Sequence, residues 1–287
     1  MTSIKKTLDE HGIFPYKGRG QHFLVQGGIV KKIVDVTELQ DGDTVVEIGP
    51  GTGVLTQAFL EQPKRVIVIA IESDRKLAQL ISDKFDDAIS KGGLDIIFAD
   101  ALKFDFHALG KRVGKKFTVV ANLPYNISTE MIFKLLDAGQ HIDKFVLMLQ
   151  KEVAERLTAN HGTKKYGALT VMASLLSKIS LQFVVGRGNF YPVPNVDSAV
   201  VLFEVRPTLL YNVGDLKVFK GIVRASFNNR RKTLRNALKS IPEIVSNDAV
   251  EAVGEAAGID LNRRGETLSV EEFGLLSDAV SLKGKAY

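Results

Sequence analysis

The sequence predicts an α/β protein: a doubly wound, mostly parallel sheet with an antiparallel hairpin at its edge, followed by a small all-helical domain. Two observations carry that expectation. Short runs rich in β-branched residues recur at 44–48, 66–71, 95–99, 117–121 and 144–149, with amphipathic stretches between them. Continuous apolar strands separated by helices are the pattern of a parallel sheet covered on both faces. After Arg206-Pro207 the strand-like runs end and the spacing becomes helical, which puts a boundary near 207 and gives expected domains of 1–206 and 207–287.

Along the chain, residues 1–32 form a basic arm with six Lys/Arg and two acids. The run 44–48 passes into Gly49-Pro50-Gly51-Thr52-Gly53 and then a helical stretch over 54–60; the runs 66–71, 95–99 and 117–121 are followed directly by Glu72, Asp100 and Asn122. Runs 181–185 and 198–205, joined by a loop through Pro192 and Pro194, read as the edge hairpin. Helical spacing then covers 215–228, 230–240, 246–257 and 269–281. Phe219, Val223 and Phe227 recur every four residues, as do Leu234 and Leu238, which turns Arg230, Arg231, Lys232 and Arg235 outward. The sheet resembles the class I methyltransferase variant of the Rossmann fold.

Composition bounds the function. With 45% hydrophobic and 25% charged residues over 287 positions, the chain has the balance of a soluble globular protein. The longest aliphatic run, 66–71, is far shorter than a membrane span, and Lys5, Lys6, Asp9 and Glu10 do not make a signal peptide. Having no cysteine, the chain forms no disulfide, offers no thiolate ligand and carries no thiol nucleophile. Its five histidines lack ligand spacing, so no metal is expected, and the expected location is cytoplasmic. Net charge is +5, and its distribution is uneven: residues 33–223 are balanced, whereas Arg224 to Arg235 hold five basic residues and no acid. Basic excess at two places flanking a neutral body suits an extended polyanion, which makes nucleic acid the expected partner.

Three glycines at spacing two, leaving a strand and entering a helix, let the backbone approach a ligand closely. The spacing is not the Gly-x-Gly-x-x-Gly of a dinucleotide site, so S-adenosylmethionine fits better than NAD. Glu72 ends the next strand, where a carboxylate accepts from ribose hydroxyls, and Asp100 ends the third, where it meets the base or its amine. The purely structural alternative is that the glycines make a tight turn and the acids cap helices. Asn122-Leu123-Pro124-Tyr125 follows the fourth strand. An exocyclic base amine is a poor nucleophile, and the Asn122 side-chain oxygen with the backbone carbonyl of Leu123 or Pro124 can accept its two hydrogens and aim the lone pair at a methyl group. Tyr125 offers a stacking plate, and Phe190 is the candidate for the opposite face of a flipped base. The alternatives are a polar turn and an aromatic that pins a proline loop.

With those residues in place, the sequence resembles the ribosomal RNA small-subunit adenine dimethyltransferases, the family behind kasugamycin sensitivity, over nearly its whole length. The matching pieces are Gly20-Gln21-His22-Phe23-Leu24, the glycine loop from Val46 to Gly53, Asn122 to Thr129, Leu149 to Ala154, Val196 to Val201, Ala225-Ser226-Phe227 and Arg230-Arg231-Lys232-Thr233. The resemblance implies methyl transfer from S-adenosylmethionine to N6 of two adjacent adenosines in a hairpin loop near the 3′ end of small-subunit rRNA, giving N6,N6-dimethyladenosine. It places His22, Leu24, Gly49, Gly51, Glu72, Ser73, Asp100, Ala101 and Asn122 about the cofactor, with Leu123, Pro124, Tyr125 and Phe190 at the adenine. Arg230, Arg231, Lys232 and Arg235 are the expected rRNA contacts, their alternative being a solvated helix face. Three positions depart from the family pattern: His22 stands for an Asn, Asn195 for a lysine and Asn229 for a glutamine. The expected partner is rRNA within a pre-30S-like particle, met by a monomer, with neither DNA nor membrane. Competing readings are a large-subunit rRNA methyltransferase of the erythromycin-resistance type, a non-catalytic ribosome-assembly factor and, more distantly, a nicotinamide oxidoreductase.

Overall fold

The structure is a computed structural model that describes residues 4–15, 21–241, 244 and 246–283. Lys17 and Arg19 of the basic arm, and Gly20 at the head of the Gly20 to Leu24 motif, lie outside the described residues. The chain divides into two compact units. The first comprises Met1–Ala154 and Ser180–Val205, and the second comprises Glu155–Ile179 and Arg206–Tyr287. The boundary near 207 is therefore accompanied by two earlier crossings, and residues 155–179 group with the helical part.

The strands are β1 (Phe23–Leu24), β2 (Thr44–Ile48), β3 (Ile67–Glu72), β4 (Leu94–Phe98), β5 (Phe117–Asn122), β6 (Ile142–Gln150), β7 (Ser177–Val185), β8 (Phe190–Tyr191) and β9 (Ser198–Val205). Seven of them form one sheet in the order β4-β3-β2-β5-β6-β9-β7. Strands β2 to β6 pair in parallel, with Val46 opposite both Ile69 and Val119, and β9 runs antiparallel to β6. All five residues of β2 are buried, as a strand covered on both faces requires. The edge pair enters with its second member innermost, since β9 contacts β6 and β7 lies outside it.

The small ribbon β1-β8 was not legible as strands, since two residues carry no periodicity. It pairs Phe23 with Tyr191 and Leu24 with Phe190, and brings the Gln21 to Leu24 motif onto the sheet's ligand edge. Between β3 and β4, the Asp74 carboxylate accepts from Lys76 N and Leu77 N and starts the helix Arg75–Lys84. That helix buries Leu77, Leu80 and Ile81; Leu77 and Leu80 lie against Leu8, Ile13 and Phe23.

In the second unit the helices Ala168–Leu176, Leu216–Asn228, Asn247–Ala257 and Val270–Lys283 enclose Phe219, Leu234, Leu238, Phe273 and Leu276, joined by Tyr166, Val171 and Leu175 from the 155–179 segment. The helix expected over 230–240 is only Leu234–Leu238. Leu234 N and Arg235 N donate to the carbonyls of Arg263 and Leu261, so this first turn takes its partners from a neighbouring segment and needs no preceding helix.

Gly53 begins the helix Val54–Glu61 with φ 75°, and a Cβ there would lie 2.6 Å from Phe85 Cε2. Gly53→Ala combines left-handed strain with a clash and is expected to cost about 1–3 kcal/mol. Urea unfolding measures it; a loss below ~0.5 kcal/mol would show that the loop relaxes freely.

Candidate active site

The chain runs outward through β2, β3 and β4, then returns to the other flank of β2 with β5. Loops at the carboxyl ends of β2 and β5 thus leave in divergent directions, opening a crevice where such sheets bind ligands. One cleft is lined there by His22, Leu24, Glu47, Gly49, Gly51, Glu72, Ser73, Asp100, Ala101 and Asn122 to Tyr125. Of the residues singled out from sequence for cofactor and base, all but Phe190 meet in it.

Gly49, Gly51 and Gly53 all have positive φ, at 67°, 59° and 75°. A Cβ at Gly51 would fall 2.9 Å from Phe23 Cδ1, while one at Gly49 would meet no atom within 4 Å and project into open space. Gly51 is thus fixed by packing, and Gly49 keeps the cleft floor clear. Glu72 accepts from Ser73 N at 2.8 Å, Asp74 N at 2.9 Å and Gly51 N at 3.4 Å. Burial nevertheless pushes its carboxyl up from the ordinary value, more than these donors hold it down. Asp100 lines the cleft, is exposed and accepts from Leu102 N at 2.9 Å.

Asn122 Nδ2 donates to the His22 carbonyl at 2.8 Å. A carbonyl accepts only, so the amide nitrogen must face it and the Asn122 oxygen is turned away as an open acceptor. Tyr125 is held through its hydroxyl, 2.9 Å from the buried Ser198 Oγ, and burial raises its phenol. His22 Nδ1 lies 2.7 Å from the Pro192 carbonyl and so carries the hydrogen, and its ring sits 5.8 Å from that of Tyr125 at 30°. The imidazole side chain thus lies between the ribbon loop and the Asn122–Tyr125 turn.

Phe190 is placed differently from the expectation. It is only 2% exposed, lies opposite Leu24 in the ribbon and packs in the sheet core with Val185 and Val200. Alternation along β8 sends Phe190 inward and Tyr191 to the cluster around Phe23, so the ring beside Tyr125 is that of His22.

Sequence reasoning gave no role to Glu47, which is 1% exposed and lines the same cleft. Thr56 Oγ1 donates to it at 2.5 Å, yet burial, with the charge of Glu72 adding, pushes its carboxyl up from 4.5 to about 7. Ser198 was also missed as the anchor of Tyr125. An acid inside an otherwise apolar strand was the available signal for Glu47; nothing local marked Ser198.

The basic cluster of the second unit is partly committed to internal contacts. Arg230 donates to the carbonyls of Lys164 at 2.7 Å and Tyr166 at 3.0 Å and pairs with Glu266 at 2.9 Å, and Arg235 pairs with Glu251. Arg231 and Lys232 are exposed, and among the described residues neither has a side-chain hydrogen bond or ion pair.

A family model described as Ribosomal RNA adenine dimethylase matches residues 17–280. The chain belongs to this family. Similar curated relatives named Ribosomal RNA small subunit methyltransferase A include those of Clostridium acetobutylicum, 41% identical over 280 residues covering 97% of this chain and 98% of the relative, and Geobacter sulfurreducens, 40% identical with 95% and 98% covered. A crystal structure of a dimethyladenosine transferase from Plasmodium falciparum is similar with a TM-score of 0.77 and 28% identity, covering 92% of this chain and 98% of that one. The 23S rRNA methyltransferase ErmE is similar with a TM-score of 0.69 and 25% identity, covering 90% and 99%. The rRNA adenine dimethylase fold is thus the class I methyltransferase sheet expected from sequence. No helix among the described residues is long and apolar enough to cross a membrane.

Between pH 4.5 and about 7 the folded protein keeps a proton on Glu47 that the unfolded chain has lost. The group's contribution to stability is therefore complete below 4.5 and declines as pH rises through about 7. Glu47→Gln, whose amide oxygen still accepts from Thr56, is expected to flatten this slope and to stabilise above pH 7 by about 1–3 kcal/mol. Urea melts at pH 5 and pH 8 compare the two proteins, and a pH-independent difference would place the effect in packing.

Proposed function

We propose that this protein transfers methyl groups from S-adenosylmethionine to N6 of two adjacent adenosines in a hairpin loop near the 3′ end of small-subunit rRNA, acting in the cytoplasm as a monomer on a pre-30S-like particle. The observation that carries the proposal is the meeting, in one cleft of an rRNA adenine dimethylase, of the Gly49 loop and Glu72 with the open acceptor of Asn122. The residues present fit the cofactor: Gly49 leaves space where a side chain would fill it, Glu72 offers acceptors for ribose hydroxyls, and Leu24 and Ala101 are apolar surfaces.

When bound, S-adenosylmethionine supplies an electrophilic methyl group on a sulfonium. Glu72 orients the ribose, with Ser73 beside it, while Asp100 and Ala101 border the base and His22, Leu24 and Gly51 the remaining wall. The Asn122 oxygen and a carbonyl of Leu123 or Pro124 accept the amine hydrogens, favouring the pyramidal nitrogen of the transition state over the planar ground state. Tyr125, fixed by Ser198, forms one face for a base withdrawn from its stack, and the His22 ring borders that place. Arg231 and Lys232 grip phosphates, whereas Arg230 braces the loop at 164–166.

The test is transfer of labelled methyl groups to undermethylated small subunits, with large subunits and duplex DNA in parallel. Dimethyladenosine is expected in small subunits alone; label in large subunits would establish the resistance-type reading, and binding without label a non-catalytic factor. Asn122→Ala is expected to lower kcat by about 100-fold or more while cofactor affinity changes several-fold at most. Equal losses would confine Asn122 to cofactor binding.

Neutralising Arg231 and Lys232 together is expected to reduce the slope of log affinity for rRNA against log salt by about 1–2. Arg230→Ala should instead lower the melting temperature. An unchanged slope in the double variant would locate the phosphate grip elsewhere.

A further inference from the structure

Glu47 is a carboxylate that the reaction as derived does not use, and its surroundings are unusual. It is the fourth of five residues in a strand buried on both faces, it lines the cleft proposed for the cofactor, and its donors are the hydroxyl and the backbone N–H of one residue, Thr56. Among the described residues no basic group lies within ion-pair distance of it. The charged groups that act on it are Glu72, which shares the cleft and has the same sign, and Lys84, whose ammonium donates to the Thr52 carbonyl at 3.3 Å and sits 4.8 Å from the Phe85 ring. Glu72 differs in kind, because three backbone N–H groups surround its carboxylate. A buried carboxylate whose donors come from one threonine and which pairs with no cation holds a proton, and it gives the proton up when a cation enters its low-dielectric neighbourhood.

The cofactor is such a cation. Its amino-acid end is a zwitterion that neutralises itself, so the excess positive charge is that of the sulfonium, and this charge is lost when the methyl group leaves. We propose that Glu47 is the charge-matching residue of the cleft: protonated in the free protein, ionised when sulfonium-bearing S-adenosylmethionine binds, and protonated again in the complex with the neutral thioether S-adenosylhomocysteine. The balance is one proton released to solvent on binding the sulfonium form and none on binding the thioether form. The residue thereby favours substrate cofactor over product through charge, without a contact that distinguishes their shapes. This inference rests on the cofactor reading given above.

Isothermal titration of the full-length protein with each ligand near pH 6.5, in buffers of different ionisation enthalpy, counts the protons directly. S-Adenosylmethionine is expected to release a large part of one proton, falling toward zero by pH 8.5, and S-adenosylhomocysteine markedly less. Affinity for S-adenosylmethionine should fall about tenfold per pH unit below the Glu47 midpoint, as one-proton linkage requires. Glu47→Gln should abolish both the release and this slope. Thr56→Val, which removes the hydroxyl donor that favours the ionised form, should move the midpoint upward, so a poorly folding Gln variant does not end the test. Binding with no proton release, equal release with both ligands, or release that persists in Glu47→Gln overturns this inference alone. Absence of saturable S-adenosylmethionine binding overturns the cofactor reading and this inference with it.

Discussion

Because β5 pairs with β2 instead of extending the sheet beyond β4, two connections that would otherwise run side by side must part. That reversal is the constraint on which the rest depends. The glycine loop takes one side of the gap and the Asn122 turn the other, so a ligand spanning the gap touches both. The β1-β8 ribbon closes the outer wall, and the His22 main chain and side chain then join three segments: its carbonyl receives Asn122, its ring nitrogen donates to Pro192, and its ring borders Tyr125. Pieces separated by a hundred residues in sequence become one polar surface.

Asn122 shows how orientation is imposed by chemistry rather than by packing alone. An amide has one accepting and one donating end, and a fixed carbonyl partner leaves no choice between them. Had a donor stood in place of that carbonyl, the oxygen would have turned to meet it and the nitrogen would have been the end left over. Two of the cleft's carboxylates, Glu72 and Glu47, have environments that differ, one ringed by three backbone N–H groups and one held by Thr56 alone. Burial pushes both carboxyls up, and the fuller ring of donors at Glu72 works against that push.

The sheet was legible because fully buried parallel strands leave continuous apolar runs, and every run from 44–48 to 198–205 corresponds to a strand. Strand-end residues such as Glu72 and Asn122 were readable for the same reason, since a strand's end fixes where its last side chain emerges. What escaped was set by pairing across distance. The ribbon is too short to have a period, and its alternation decided that Phe190 points into the core. Ser198 belongs to a strand whose place next to β6 only topology reveals. In the helical part, charge could be counted but not its commitments: Arg230 looks like its neighbour Arg231 in sequence, yet it is spent on the carbonyls of Lys164 and Tyr166.

The chain leaves the first unit after Ala154, returns at Ser180 and leaves again after Val205. Tyr166, Val171 and Leu175, from the middle excursion, are buried among the helices that follow residue 206. The helical unit is thus a discontinuous module, and an excised fragment beginning at 207 would lack part of its own interior. Recombination between relatives at that single point would transplant a core with three of its buried side chains left behind, so exchange of the helical unit in this lineage has to carry two cassettes of sequence together.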